Sequence, residues 1–305
     1  MFRIEVAVTS SSNGFGLSCA LATPFLASGD IDYALLTQHA QNCLGEGCGS
    51  VTVFGTTGEG SSLGFAERVR TIAILKNAGI DARRAILGGV MSASQDDAMD
   101  QTAILIDADC RAVLLAPPFY FKDVSDDGLF AWFAGLFEKL GGRARDVILY
   151  NIPSVTAVTL SVSLIAKLRA AFPEVICGVK DSSGDWTYTQ QLLAAHSDLT
   201  ILIGDERHLA HGVRLGAQGA ISGLANIIAP RLLPLARDGR DDPGIVQLVG
   251  ELIKYPVIPA VKSLIAHKTD DKEWLRTRPP LMPMTEADHA LLTGAYSAIF
   301  TEKAA

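Results

Sequence analysis

The sequence predicts an α/β protein whose eight parallel strands close into a (β/α)8 TIM barrel with a C-terminal helical extension. Three observations carry that prediction. Short β-branched or aliphatic runs recur about every 30 residues, each followed by a turn rich in Gly, Ser or Thr and then by a helical pattern with apolar residues three and four apart. The runs are continuously apolar and do not alternate, as happens when helices cover both faces of a parallel sheet. Parallel neighbours also need crossover connections, and the helical stretches supply them. Eight such units favour a closed barrel, with a doubly wound open sheet as the rival that pattern alone leaves open.

Taken in order, residues 1–16 form an N-terminal arm in which FRIEVAV reads as a short strand-like piece and SSSNG as a turn. The first strand is LSCALAT (17–23), and ALLTQHAQNCL is its helix. SVTVFG (50–55) and AERVRTIAILKNA form the second unit, AILGGV (85–90) is the third strand, and RAVLLA (111–116) precedes the helix LFAWFAGLFEKL. VILYN (147–151) leads to LSVSLIAKLRAAF, after which VICGVK (175–180), TILIG (200–204) and GAISG (219–223) complete the eight. Past residue 228 the strand signal stops, and PRLLPLARD, GIVQLVGELIKY, IPAVKSLIAHK and EADHALLTGAYSAIF read as helices separated by Pro and Gly. The expected division is an arm at 1–16, a barrel at 17–228 and a helical region at 229–305.

The 305 residues are 49% hydrophobic and 19% charged, a mix that buries a large core and carries no signature of disorder. With a formal net charge of -7 and no dense Lys/Arg run beyond Arg143 and Arg145, no nucleic-acid partner is expected. No apolar run reaches the roughly 18 residues of a membrane span. The N-terminus lacks a long apolar stretch and carries Glu5, so a cytoplasmic protein is expected. Cys19, Cys43, Cys48, Cys110 and Cys177 are too scattered for a disulfide framework and read as reduced, mostly structural thiols. The histidines form no HxxxH or HxH spacing, and His208 and His211, three apart, fall on one helix face, so no metal site is expected.

In such a barrel the chemistry lies on the loops after the C-terminal strand ends. Those ends present Gly55-Thr56-Thr57-Gly58-Glu59, then Tyr120 beyond Pro117-Pro118, then Tyr150-Asn151, Lys180, Gly204-Asp205-Glu206 and Ile221-Ser222-Gly223. An ammonium closing an apolar strand is costly unless it is paired or discharged. Lys180 therefore reads either as a barrel-top ion pair with neighbouring Asp181 or as a Schiff-base nucleophile, since desolvation favours the neutral amine that attacks a carbonyl. Tyr150, on the adjacent strand, can pass protons to a carbinolamine; alternatively it is a core tyrosine with a satisfied hydroxyl. Thr56 and Thr57, flanked by glycines, offer N–H groups and hydroxyls to a carboxylate, or else form a plain turn capped by Ser61 or Ser62. Asp181, Ser182, Ser183 and Asp185 read as turn and N-cap residues for a helix near Trp186.

With ATPF (22–25), GTTGE (55–59), YNIP (150–153) and GVKD (178–181) in order, the chain resembles the dihydrodipicolinate synthase and N-acetylneuraminate lyase superfamily of class I aldolases from about residue 17 through the helical tail. The resemblance implies that Lys180 condenses with the ketone of pyruvate or another small-molecule 2-oxo acid, with Tyr150 as general acid/base. It places Thr56 in a hydroxyl relay with Tyr120, which in the family often reaches into a neighbouring subunit, and Thr57 with Gly55 at the 2-oxo acid carboxylate. It also implies a homotetramer built as a dimer of dimers, and no metal or organic cofactor, because the imine is the electron sink. The chain departs from the synthases at Val155, where they carry an arginine that receives the second substrate's carboxylate, a bidentate contact an aliphatic side chain cannot make. Asp205-Glu206 resembles the acidic pair with which sugar-acid lyases hold hydroxyls, with Ile221 and Ser222 as further substrate contacts. A carbon–carbon lyase acting on a 2-oxo-3-deoxy sugar acid or similar is thus expected. The alternative is dihydrodipicolinate synthase proper, joining pyruvate to aspartate semialdehyde, with Arg207 in place of the missing arginine.

Two readings come from other classes. Gly58-x-Gly60-x-x-x-Gly64 suggests a nucleotide-dependent oxidoreductase, although its spacing departs from G-x-G-x-x-G and it follows the second strand. GAQGAISG is glycine-rich where many barrels hold phosphate, which suggests a noncatalytic binding barrel; close packing of helix on strand explains it equally well.

Overall fold

The computed structural model describes residues 14–301, so the FRIEVAV arm lies outside the described residues. Eight strands, β1 (Gly16–Ala20), β2 (Ser50–Val53), β3 (Ile86–Val90), β4 (Ala112–Leu115), β5 (Val147–Asn151), β6 (Ile176–Asp181), β7 (Thr200–Ile203) and β8 (Gly219–Ser222), pair in sequence order. All pairs are parallel, and β8 returns to β1 through Gly16↔Gly219 to Cys19↔Ser222, so the sheet is a closed barrel and not an open one. The eight apolar runs are the eight strands, and β6 extends one residue past Lys180 to Asp181.

Each strand is apolar throughout because it faces two cores. Side chains two apart share a face. Ala112, Leu114, Ile148, Tyr150, Leu202 and Ile221 pack in the barrel interior. Their neighbours Val113, Leu115, Val147 and Leu149 pack outward against the helices. Helices start where strands end: Ser94, Ser125, Ser161 and Asp185 each accept a backbone N–H of the following first turn, which satisfies donors that would otherwise be orphaned at the barrel mouth.

The helix Ala225–Asp238 spans residue 228, where Ile228 leaves helical geometry (φ -127, ψ 35) two residues before Pro230, a residue with no N–H to give. At its start the buried Asn226 side chain accepts from Ala22 N (3.0 Å) and donates to Ala20 O and Gly223 O (both 2.8 Å), clasping the end of β1 to the end of β8. The helices Pro243–Leu252, Val257–Thr269 and Glu286–Thr301 follow. No helix among the described residues is long and apolar enough to cross a membrane. The five cysteines are free thiols, four of them buried and Cys177 half-buried. His208 and His211 both pack on the Trp186 ring (5.2 and 4.4 Å between centroids), and among the described residues no group of three or more His, Cys, Asp or Glu could hold a metal ion.

Candidate active site

The register of β5 against β6 sets Tyr150 directly beside Lys180. Lys180 is 6% exposed; its Nζ lies 4.4 Å from the centre of the Tyr150 ring and donates to Tyr150 Oη at 3.3 Å. Tyr150 Oη in turn lies 3.4 Å from Thr56 Oγ1. Asp181 does not pair with Lys180, because successive side chains of a strand point to opposite faces. Its buried carboxylate accepts from Asn151 Nδ2 (3.0 Å), Ser183 N (3.0 Å) and Thr189 Oγ1 (2.6 Å) instead. The result is a buried amine whose neighbour is a phenol, and no ion pair is made by Lys180 among the described residues.

The turn that carries Thr56 and Thr57 is held from below. Phe54, which opens it, has a positive φ of 61°, a conformation a bulky residue rarely adopts. Close packing fixes it there: a Cβ on Gly60 would sit 1.8 Å from Phe54 O and one on Gly89 2.6 Å from it. Gly60 thus serves backbone contact in a closed barrel, not a dinucleotide. Arg68, buried, donates to Gly60 O (2.5 Å) and Gly89 O (2.9 Å) and lies 4.9 Å above the Phe54 ring; desolvation lowers its pKa to about 10. On the other side Glu59 pairs with Lys262 of the helix Val257–Thr269, both side chains being fully buried, and accepts Arg278 N at 2.9 Å. Neither Arg68 nor Lys262 was legible as a brace, since both sit in ordinary amphipathic patterns.

A cavity of about 240 Å³ opens over these groups, lined on its inner side by Thr56, Thr57, Tyr150, Lys180, Ser182 and Glu206. Val155 and Ile221 also line it, as the sequence led one to expect. Four other expected site residues, Gly55, Ser222, Asp205 and Tyr120, do not. The Gly55 carbonyl accepts from Gly60 N (3.1 Å) within the turn, and Ser222, buried behind Glu206, donates to its Oε1 at 2.5 Å. Asp205 caps the helix Glu206–Arg214 and grips the Arg207 guanidinium at 2.6 Å, so the adjacent acids point different ways and only Glu206 reaches the cavity. Burial raises the Glu206 carboxyl above its ordinary value, and the Ser222 hydrogen bond only partly offsets this. Arg207, held by Asp205, does not line the cavity. Tyr120 is 73% exposed with its ring edge-on to Phe121 at 5.3 Å, outside any contact with Thr56 in this chain. A larger hollow of about 560 Å³, beside Tyr33, Glu67 and Arg70, contains neither Lys180 nor Tyr150.

A buried amine against a phenol, at the C-terminal mouth of a (β/α)8 barrel, defines a lyase of the aldolase kind. The profile described as the dihydrodipicolinate synthetase family matches residues 14–295. An uncharacterized DapA-like lyase of Chloroflexus aurantiacus is 33% identical over 296 residues, covering 93% of this chain and 96% of its own. A 4-hydroxy-tetrahydrodipicolinate synthase of Hyphomonas neptunium is 32% identical over 216 residues, 70% of this chain and 71% of its own. Among solved structures, a dihydrodipicolinate synthase from Agrobacterium tumefaciens is 54% identical with a TM-score of 0.92, covering 94% of this chain and 99% of that one. The chain belongs to the dihydrodipicolinate synthetase family.

Proposed function

We propose that the protein makes or breaks a carbon–carbon bond of a 2-oxo acid through a Schiff base on Lys180. The observation that carries this reading is the Lys180 Nζ–Tyr150 Oη contact of 3.3 Å at a buried position with no carboxylate partner. In the cleavage direction the amine adds to the keto carbon, and the carbinolamine hydroxyl leaves as water by taking the Tyr150 proton, which yields an iminium and leaves Tyr150 as a phenolate able to accept the next proton. The bond between the third and fourth carbons then breaks; its electron pair enters the iminium to give an enamine, while the proton of the fourth-carbon hydroxyl passes to Tyr150. An aldehyde leaves. Protonation of the enamine and hydrolysis of the imine, which takes up the water lost earlier, release pyruvate and restore the amine, with no net oxidation.

Thr56, at 3.4 Å from Tyr150, is proposed to relay that proton, and the Thr56-Thr57 turn to hold the 2-oxo acid carboxylate. The substrate head is then a 2-oxo-3-deoxy-4-hydroxy acid, the part that sugar acids and their analogues share. No metal or organic cofactor enters this scheme. Synthase activity with aspartate semialdehyde is the weaker reading, because no arginine lines the cavity and Val155 stands at its rim. A cytoplasmic homotetramer is proposed, with the exposed Tyr120–Phe121 pair at a subunit contact, and light scattering of the purified protein tests the assembly. For the chemistry, the enamine predicts that the enzyme exchanges the methyl protons of pyruvate in deuterium oxide. Absence of exchange above the uncatalysed rate contradicts the proposal.

A further inference from the structure

We infer that the far end of the substrate, beyond the fourth carbon, is apolar: the 2-oxo acid handled here carries an alkyl or aryl group where a sugar acid carries a chain of hydroxyls. This rests on the Schiff-base reading and specifies its substrate class. The cavity has two unlike halves. Its inner half is the amine, the phenol and the threonine turn, enough for a three-carbon acid. Its outer half is aliphatic: Val155 on one side, and Val249, Leu252, Ile253, Val257 and Val261 from the C-terminal helices. A single water needs about 10–15 Å³ of such space. A cavity of about 240 Å³ therefore holds a good deal more than pyruvate.

The charges point the same way. Lys180 and Glu206 supply the only amine and the only carboxyl among the lining residues; imine formation engages the first, and Ser222 already donates to the second. No cation remains among the lining residues to pair a distal carboxylate or phosphate: Arg207, the nearby guanidinium, is bound to Asp205 outside the cavity. Ser154, Ser182 and Glu206 suffice for the one hydroxyl on the fourth carbon. Further hydroxyls would lie on valine, leucine and isoleucine side chains, giving up water without gaining a partner. Conversely, Val155 (61% exposed), Ile253 (51%) and Val257 (48%) leave apolar surface around the mouth for a tail to cover.

The test compares pyruvate release by the full chain from 4-hydroxy-2-oxohexanoate, from 4-hydroxy-2-oxo-4-phenylbutanoate and from 2-oxo-3-deoxygluconate. The expected kcat/KM is higher for one or both apolar acids by about tenfold or more. Ile253→Asn and Val257→Asn are each expected to shrink that ratio, chiefly by raising KM for the apolar acid. Equal or better cleavage of the polyhydroxylated acid, or a ratio that neither variant moves, overturns the inference. So does failure to cleave the apolar acids while pyruvate methyl exchange proceeds. Loss of that exchange in the unaltered enzyme instead overturns the Schiff-base reading, and this inference with it.

Discussion

Two buried lysines in one chain have opposite surroundings. Lys262, fully buried on a C-terminal helix, faces the Glu59 carboxylate and the Arg276 carbonyl at 2.5 Å. Burial lowers its pKa, and the Glu59 carboxylate, reaching over from the turn after β2, partly offsets that by supplying a counter-charge. Lys180, at the end of β6, has a phenol where Lys262 has a carboxylate. An ion pair holds a cation in place and makes it inert; a phenol leaves the amine free to react and supplies the proton traffic that condensation needs. Burial alone therefore does not mark a nucleophile. The partner does.

The sharpest way to break this contrast is to remove each lysine in turn. Lys180→Ala is expected to lower kcat by about 10³-fold or more while leaving the thermal midpoint near that of the parent. Lys262→Met is expected to do the reverse, destabilising by about 3–5 kcal/mol in chemical denaturation because it leaves the Glu59 carboxylate buried without a counter-charge. Lys262→Met losing activity without losing stability would contradict the assignment of roles.

Tyr150→Phe keeps the ring over Lys180 and removes the hydroxyl; a fall in kcat of about 10²–10⁴-fold is expected. On the structural side, adding Glu59→Leu to Lys262→Met should recover part of the stability lost, since the uncompensated charge goes with it. Recovery should stop short of the parent, because Arg278 N then loses its acceptor.

The smallest effect concerns Glu206, whose carboxyl burial raises above its ordinary 4.5. A raised carboxyl binds a proton in the native state that the unfolded chain has already released. Its contribution to stability is thus complete below 4.5 and is lost as pH rises through the native value. Glu206→Gln, which keeps an acceptor for Ser222, should accordingly gain on the parent in thermal midpoint as pH climbs from acid to neutral. A difference that stays flat with pH would show that this carboxyl titrates normally.

The barrel was legible because its strands are buried on both faces, which writes each as an unbroken apolar run, and because Tyr150 and Lys180 close adjacent strands at matching registers. The brace around the Thr56-Thr57 turn was not. Lys262 lies in IPAVKSLIAHK, whose pattern suggests a solvated charge, and its partner is 203 residues away. Only tertiary structure brings the two together. Asp205 and Glu206 show the opposite failure: adjacency suggested shared work, but one is a helix cap and the other its first residue, so they diverge. The aliphatic cavity wall at Val249, Leu252 and Val261 was equally hidden, since a substrate-facing residue on an amphipathic helix reads the same as a core residue.

The most direct test is to treat the protein with borohydride in the presence of pyruvate and locate the adduct by peptide mass spectrometry. The account predicts a reduced pyruvyl group on Lys180, none on Lys262, and none anywhere when pyruvate is omitted. An unmodified Lys180, or label on Lys262 instead, contradicts it.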